Sequence, residues 1–216
     1  MRQRDKIKSI AMLRNVAIFF TGAFLALGSQ LSHAQQDMSP LKPPPGAHVA
    51  LFEFADLECP MCGRENTVFK DASAKYHVPW LRHDFPLQMH VWSFQAAVNA
   101  RWFDTQPKKL GNEYRDAVFA NQASIETKDD LRAFTDKFAQ QHGMAMPFVI
   151  DPQDKLANEV KADYALGMRL GVHQTPTVWI VTDRSGGAAP YTEVTDFNKL
   201  YTMLDTATAE TSHGRK

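Results

Sequence analysis

The sequence predicts an α/β fold interrupted by an inserted helical subdomain, and three observations predict it. A nearly continuous apolar run of β-formers, His48 to Ala55, is followed by a helix-forming segment and a second β-rich stretch. From Pro86 to about Leu170 the pattern turns helical, with no good strand candidate. The chain then returns to β-formers at Thr177 to Thr182. At 216 residues, 44% of them hydrophobic, the chain can bury the core of one ordinary domain with such an insertion.

The amino terminus reads as a targeting segment. Arg2, Arg4, Lys6, Lys8 and Arg14, against the single acid Asp5, precede the uncharged, mostly apolar run Val16 to Gly28. That run falls short of the roughly 20 residues a membrane-spanning helix needs. Ser32-His33-Ala34 supplies the small residues a signal peptidase inspects. Residues 1–34 are therefore expected to be a cleaved signal peptide, with a periplasmic or secreted protein after cleavage near Ala34. Without them the body is mildly acidic and has no basic stripe, which excludes nucleic acid as the expected partner.

Residues 35–46 contain Pro40, Pro43, Pro44 and Pro45 and read as a Pro-rich linker. The folded domain is expected to begin near Ala47, its first part covering 47–85. His48 to Ala55 fits a strand buried on both faces with parallel neighbours. Gly63 to Ala74 carries helix formers, and Pro60 before it sits where a helix tolerates proline, in the first turn. Trp80 to Phe85 reads as the second strand.

The insertion, 86–170, contains four helical patterns: Ser93 to Asp104 with Ser93 as its expected cap, Asn112 to Asn121, Lys128 to Gln140, and Gln153 to Leu170, ended by Gly171. The second part of the α/β domain, 171–205, is read as the strand Thr177 to Thr182, a turn at Asp183 to Gly187, the strand Tyr191 to Val194, and a final helix capped by Asp196 and ending near Leu204. Residues 206–216 read as a disordered tail.

The chemistry centres on Cys59-Pro60-Met61-Cys62, which holds the only two cysteines. A structural disulfide in an exported protein usually closes a longer loop than four residues, so the pair reads as chemical. Zinc sites built on this spacing need a second Cys pair or closely spaced His, and the sequence has neither beside the motif. At a strand-to-helix junction Cys59 occupies the helix N-cap, where unsatisfied N–H groups and the helix dipole stabilise a thiolate. Cys59 is thus the expected attacking thiol. Cys62, one turn on, is the expected resolving thiol, more buried and less acidic. No metal or organic cofactor is required, since the redox group is the Cys59–Cys62 disulfide itself.

Glu53, an acid inside a buried strand, should have a raised pKa, unless it is a strand-edge side chain reaching solvent. Asp56 and Glu58 read as a solvated acidic approach that opposes thiolate formation. His83, His90 and Met89 with Met61 and the cysteines form an alternative soft-metal set of the kind that holds copper. Trp80, Trp92, Trp102 and Phe103 read as packing residues.

Several of these segments together resemble the thioredoxin superfamily, and within it the exported DsbA-like thiol-disulfide oxidoreductases. The matching features are Glu53 six residues before the first cysteine, Phe54-Ala55-Asp56-Leu57-Glu58-Cys59-Pro60-Met61-Cys62, Asp84-Phe85-Pro86-Leu87, the helical insertion, and Gly171-Val172-His173-Gln174-Thr175-Pro176-Thr177. The resemblance covers about Ala47 to Leu204. It implies a thioredoxin-like fold, a cis proline at Pro176 lying against the active-site disulfide, and a Thr175 backbone that receives an extended substrate segment. It also implies that Glu53 acts as proton acceptor or relay for Cys62.

The implied activity is disulfide exchange with exported proteins that carry thiols or disulfides, by a monomer recycled by a membrane or soluble redox partner. Donation of disulfides is the leading direction. Two departures qualify it: Met61 stands where strong oxidants of the family have histidine, and Thr175 is the choice of the isomerase and reductase branches. Those branches dimerise through an amino-terminal domain that a short linker does not supply. Reductase or isomerase activity, a copper carrier and a thiol-independent chaperone are the alternatives.

Overall fold

The computed structural model describes residues 37–213. The expected signal peptide, 1–34, lies outside them. A four-stranded sheet in the order β2-β1-β3-β4 is built from β1 (Val49–Ala55), β2 (Trp80–Asp84), β3 (Thr177–Thr182) and β4 (Tyr191–Glu193). β1 pairs in parallel with β2, Leu51 opposite Trp80 and Ala55 opposite Asp84. It pairs antiparallel with β3, and β3 antiparallel with β4. The expectation of parallel neighbours thus holds on one side only. A strand covered on both faces reads as a continuous apolar run whichever way its neighbours point, so the pattern reports burial and not direction.

The period of two along β1 divides the core between the faces of the sheet. Val49 and Leu51 meet Phe69 and Ala72 of α1 (Pro60–Tyr76) and Leu200 and Leu204 of α6 (Leu200–His213). Ala50, Phe52 and Phe54 meet Phe85, Leu170, Trp179 and Val181 on the other face. Glu53 has the parity of Leu51 and is held in the interior at 0% exposure. The alternative of a strand-edge glutamate reaching solvent is excluded.

The insertion folds as α2 (Ser93–Thr105), α3 (Gly111–Asn121), α4 (Lys128–Gln141) and α5 (Lys155–Arg169), as the helical patterns predict. A capping box between Thr127 and Asp130 opens α4. Gly171, at φ 72°, ends α5 by letting Val172 N–H reach back to the Gly167 carbonyl. Trp92, Phe103, Tyr114, Val118, Leu131 and Phe138 form the subdomain core, and the same apolar cluster takes in Leu57, Cys59 and Cys62. The two cysteines therefore sit on the seam between sheet domain and insertion.

Four expectations are corrected. The final helix continues past Leu204 to His213, burying Ala207 and Thr211, where a disordered tail was expected from 206 on. Threonines lower helix propensity, but here their hydroxyls bond carbonyls of the preceding turn, and every third or fourth residue reaches the core. In the Pro-rich stretch Leu41 is 1% exposed and packs with Phe52 and Trp179, with Met38 against it, so this stretch adheres to the domain. Ser93 does not cap α2. It lies inside the helix with a buried hydroxyl lacking a partner, and Glu58 satisfies the helix start instead. Asp56 and Glu58 are structural acceptors, as described below, and not a solvated approach. Among the described residues no helix is long and apolar enough to cross a membrane.

Candidate active site

β1 delivers the chain to the loop Asp56-Leu57-Glu58, and α1 starts at Pro60, whose missing N–H is one the first turn would leave unpaired. Cys59 is the N-cap residue, with extended backbone (φ −74°, ψ 119°) and no side-chain capping bond. Its sulfur is left free to meet the first turn. Both cysteines are free thiols, Cys59 7% and Cys62 0% exposed.

The two thiols are driven apart in acidity. The Cys62 thiol donates to the Cys59 sulfur and contributes most to lowering it. Burial works against this, while Thr175 and the backbone N–H groups of Cys62 and Met61 add to it, and the Cys59 thiol is pulled down to about 5. Cys62 moves the other way. Burial raises it first, then its bond to Cys59 and the charge of Glu53. At neutral pH Cys59 is the thiolate and Cys62 the thiol, the division of labour expected from position in the helix.

The segment before β3 closes the site over the sulfur. The Thr175–Pro176 peptide is cis, both residues are buried, and Cys59 Sγ donates to the Thr175 carbonyl oxygen at 3.3 Å in the thiol form. The Thr175 hydroxyl is buried with no hydrogen-bond partner. Met61 is 38% exposed, its sulfur accepting from Arg64 Nη2 at 3.1 Å.

Beneath the thiols, Glu53 accepts from Trp80 Nε1 at 2.9 Å through Oε2, which lies 3.8 Å from Arg82 Nε. Its Oε1 has no partner. Burial pushes the carboxyl up to about 7, against the pull of Arg82 and Trp80. Arg82 stacks its guanidinium 3.9 Å from the Trp80 ring centroid and bonds Asn66 and Asp116 through Nη2. A carboxyl held near neutrality beside a thiol of raised pKa is equipped to exchange a proton with it.

The loop acids pin the site to the insertion. Asp56, 1% exposed, accepts from the N–H of Glu58 at 2.7 Å and of Leu87 at 2.6 Å, and from His90 Nδ1 at 2.7 Å. Glu58 Oε2 accepts from the N–H groups of Trp92 and Ser93, at the start of α2. Gln122 Nε2 reaches the Leu57 and Cys59 carbonyls.

The structure thus brings Cys59, Cys62, Glu53, Thr175, Pro176, Pro60 and Met61 into one region. It does not gather the soft-metal set. His83 Nδ1 pairs with Asp163 and its ring stacks on Phe54, His90 is held by Asp56, and Met89 is 78% exposed. Among the described residues no group of three or more His, Cys, Asp or Glu converges as a metal site. Of the aromatics read as packing, Trp92 and Phe103 are core and Trp80 and Trp102 pack against core clusters, while Trp80 is in addition the donor to Glu53. Sequence reasoning missed Trp80, Arg82 and Gln122. Arg82 alone carried a signal, a charged residue in a short strand beside β1.

No curated protein matches the sequence. Solved structures of similar fold include alpha-DsbA1 of Wolbachia pipientis, at 17% identity and a TM-score of 0.66 over 81% of this chain and 92% of that one. They also include DsbA2 of Pseudomonas aeruginosa, at 21% identity and a TM-score of 0.57 over 75% and 87%. The catalytic domain of ScsC from Proteus mirabilis matches at 15% identity and a TM-score of 0.60 over 77% and 87%. These likenesses establish the DsbA-type thioredoxin fold. The sequence model of the thioredoxin family matches residues 44–197, a span that runs from before β1 to the turn ahead of α6 and holds every residue of the site, and the chain belongs to that family.

Proposed function

We propose that the chain is an exported thiol-disulfide oxidoreductase that donates the Cys59–Cys62 disulfide to exported proteins in the periplasm. The observation that carries this reading is the opposed acidity of the two thiols, Cys59 pulled down to about 5 and Cys62 pushed up. A pair whose outer thiol is a stabilised thiolate favours its reduced form and so tends to give up its disulfide.

In the donating direction a substrate thiolate attacks Cys59 Sγ, breaking the Cys59–Cys62 bond. Cys62 leaves and takes a proton, for which Glu53 is the nearby acid. A second substrate thiolate then attacks the substrate sulfur of the mixed disulfide and releases the Cys59 thiolate. Two electrons pass from the substrate dithiol to the pair. The Thr175 backbone beside Pro176 is placed to receive an extended substrate segment. A membrane or soluble redox partner removes the electrons, and the chain acts as a monomer.

The test is the reduction potential of the Cys59–Cys62 couple, measured by equilibration with glutathione. An oxidase requires a value well above that of thioredoxin, roughly −270 mV. A value at or below it overturns donation in favour of a reductase, and loss of exchange in Cys59→Ser separates either enzyme from a thiol-independent chaperone.

A further inference from the structure

Helix α3 ends at Asn121, and Gln122 opens a single 3-10 turn, Gln122–Ser124. From this turn the Gln122 side chain crosses the seam to the active-site loop. Its Nε2 donates to the Leu57 carbonyl oxygen at 2.8 Å and to the Cys59 carbonyl oxygen at 3.0 Å. Leu57 is 3% exposed. Its carbonyl lies where a lost partner is costly.

Space for this contact is provided by Gly63. A Cβ at that position would stand 2.5 Å from Gln122 Oε1. Two positions of the chain, one just after the Cys-Pro-Met-Cys unit and one in the insertion, are thereby shaped to each other.

We propose that Gln122 is a positioning residue for the Cys59 nucleophile, holding the Leu57 and Cys59 carbonyls so that the Cys59 sulfur stays in front of the first-turn N–H groups. The carbonyl of Cys59 shares a peptide plane with Pro60 N, so fixing that oxygen fixes ψ of Cys59 and with it the direction in which α1 leaves the N-cap. Those N–H groups add to the stabilisation that the Cys62 thiol gives the thiolate, and the same rotation of Cys59 moves its sulfur relative to both. Gln122 is uncharged and acts without an opposing charge of its own. The titratable groups bearing on the two thiols are each other and Glu53 of β1, whereas Asp56 and Glu58 are committed to the segment from Leu87 to Ser93.

The proposal rests on the reading of Cys59 as an activated nucleophile, and one experiment separates the two. The pH profile of Cys59 alkylation and of thiolate absorbance is recorded for the reduced protein as wild type, Gln122→Ala, Gln122→Glu, Gly63→Ala and Gly63→Ala with Gln122→Ala. In Gln122→Ala the midpoint should rise by about one pH unit. Gln122→Glu, which keeps the shape but turns a donor into an acceptor, should shift it at least as far.

Gly63→Ala should shift the midpoint in the same direction, because its methyl displaces the Gln122 side chain, and should add nothing once Gln122 is already alanine. A Gln122→Ala profile equal to wild type, or an additive Gly63→Ala shift, overturns the proposal while the nucleophile reading stands. A wild-type Cys59 that titrates as an ordinary thiol overturns both. Loss of the Leu57 carbonyl's partner should lower the melting temperature of oxidised and reduced Gln122→Ala alike, so the midpoint, which a merely structural role would leave at the wild-type value, separates positioning from a general structural role.

Discussion

The carbonyl oxygen of Thr175 accepts from the Cys59 thiol across 116 positions of sequence, at 3.3 Å. The same residue's hydroxyl is buried and unpartnered. Thr175 thus offers an acceptor to the protonated sulfur and a donor to the thiolate, and it bridges the nucleophile to the cis-Pro176 segment in either state.

Thr175→Val removes the donor and leaves the carbonyl. The Cys59 midpoint should rise by about half a pH unit, read from alkylation against pH. Stability of the oxidised protein, which has no thiolate to lose a donor, should hold or improve, because a buried hydroxyl without a partner is replaced by a methyl of similar volume, whereas the reduced protein should lose a little at neutral pH. A fall in the midpoint would exclude the hydroxyl as a thiolate donor.

The low Cys59 pKa makes the stability of the reduced protein depend on pH. The folded value, about 5, lies below the ordinary thiol value of 9.0, so the thiolate's stabilisation is full above pH 9 and is lost as pH falls through 5. The oxidised protein has no such thiol. Thermal melts of both forms between pH 9 and pH 4 should show the reduced form losing stability relative to the oxidised one over that window. Parallel curves would contradict a thiolate at Cys59.

Glu53 has the opposite sign. Its folded value, about 7, lies above the ordinary 4.5, so its contribution is full below pH 4.5 and lost as pH rises through 7. Glu53→Gln should flatten stability across that interval. It should also slow reoxidation of Cys62 by roughly tenfold to hundredfold, by removing a proton acceptor. Unchanged exchange kinetics would leave Glu53 with a structural role only.

How much of this was legible in sequence depends on the range over which each cause acts. Cys59 as N-cap, Pro60 in the first turn, the Gly171 stop and the burial of β1 follow from neighbours a few residues apart, and all appear in the structure. The site is completed by groups that meet only in the folded chain: Trp80 reaches Glu53 once β2 pairs with β1, and Asp56 meets Leu87 and His90, and Gln122 meets Leu57 and Cys59, once the insertion packs. A glutamine at a helix end has many possible acceptors, and nothing in a linear pattern selects one 63 residues earlier. The direction of β3 was hidden for the same reason, since burial is written in the residues and pairing is not.

The length of α6 can be tested by truncation. Tyr76 Oη donates to Asp205 at 2.7 Å, Leu204 is 0% exposed, and Ala207 and Thr211 are buried beyond it. Ending the chain after Leu204 removes these contacts and frays the last turns over Val49 and Ile180. The truncated protein should lose about 2–3 kcal/mol in urea unfolding, the scale of one or two buried apolar side chains. A disordered tail would cost nothing.

Asp56 separates a structural carboxylate from a solvated one. Two oxygens accept three donors, one from its own loop and two from the segment leading into α2, and 1% exposure leaves water no access to replace them. Asp56→Asn keeps the shape but turns one oxygen into an NH2 group. In either orientation an N–H then faces another N–H, because donors approach both Oδ1 and Oδ2. The expected loss is about 2–3 kcal/mol, the range for hydrogen bonds to a charged acceptor, against less than about 0.5 kcal/mol for an exposed acid. Hydrogen exchange localises the effect. Faster exchange at the Leu87 and Glu58 amides, with the α6 amides unchanged, would place the lost restraint at the junction between the Cys59 loop and the insertion.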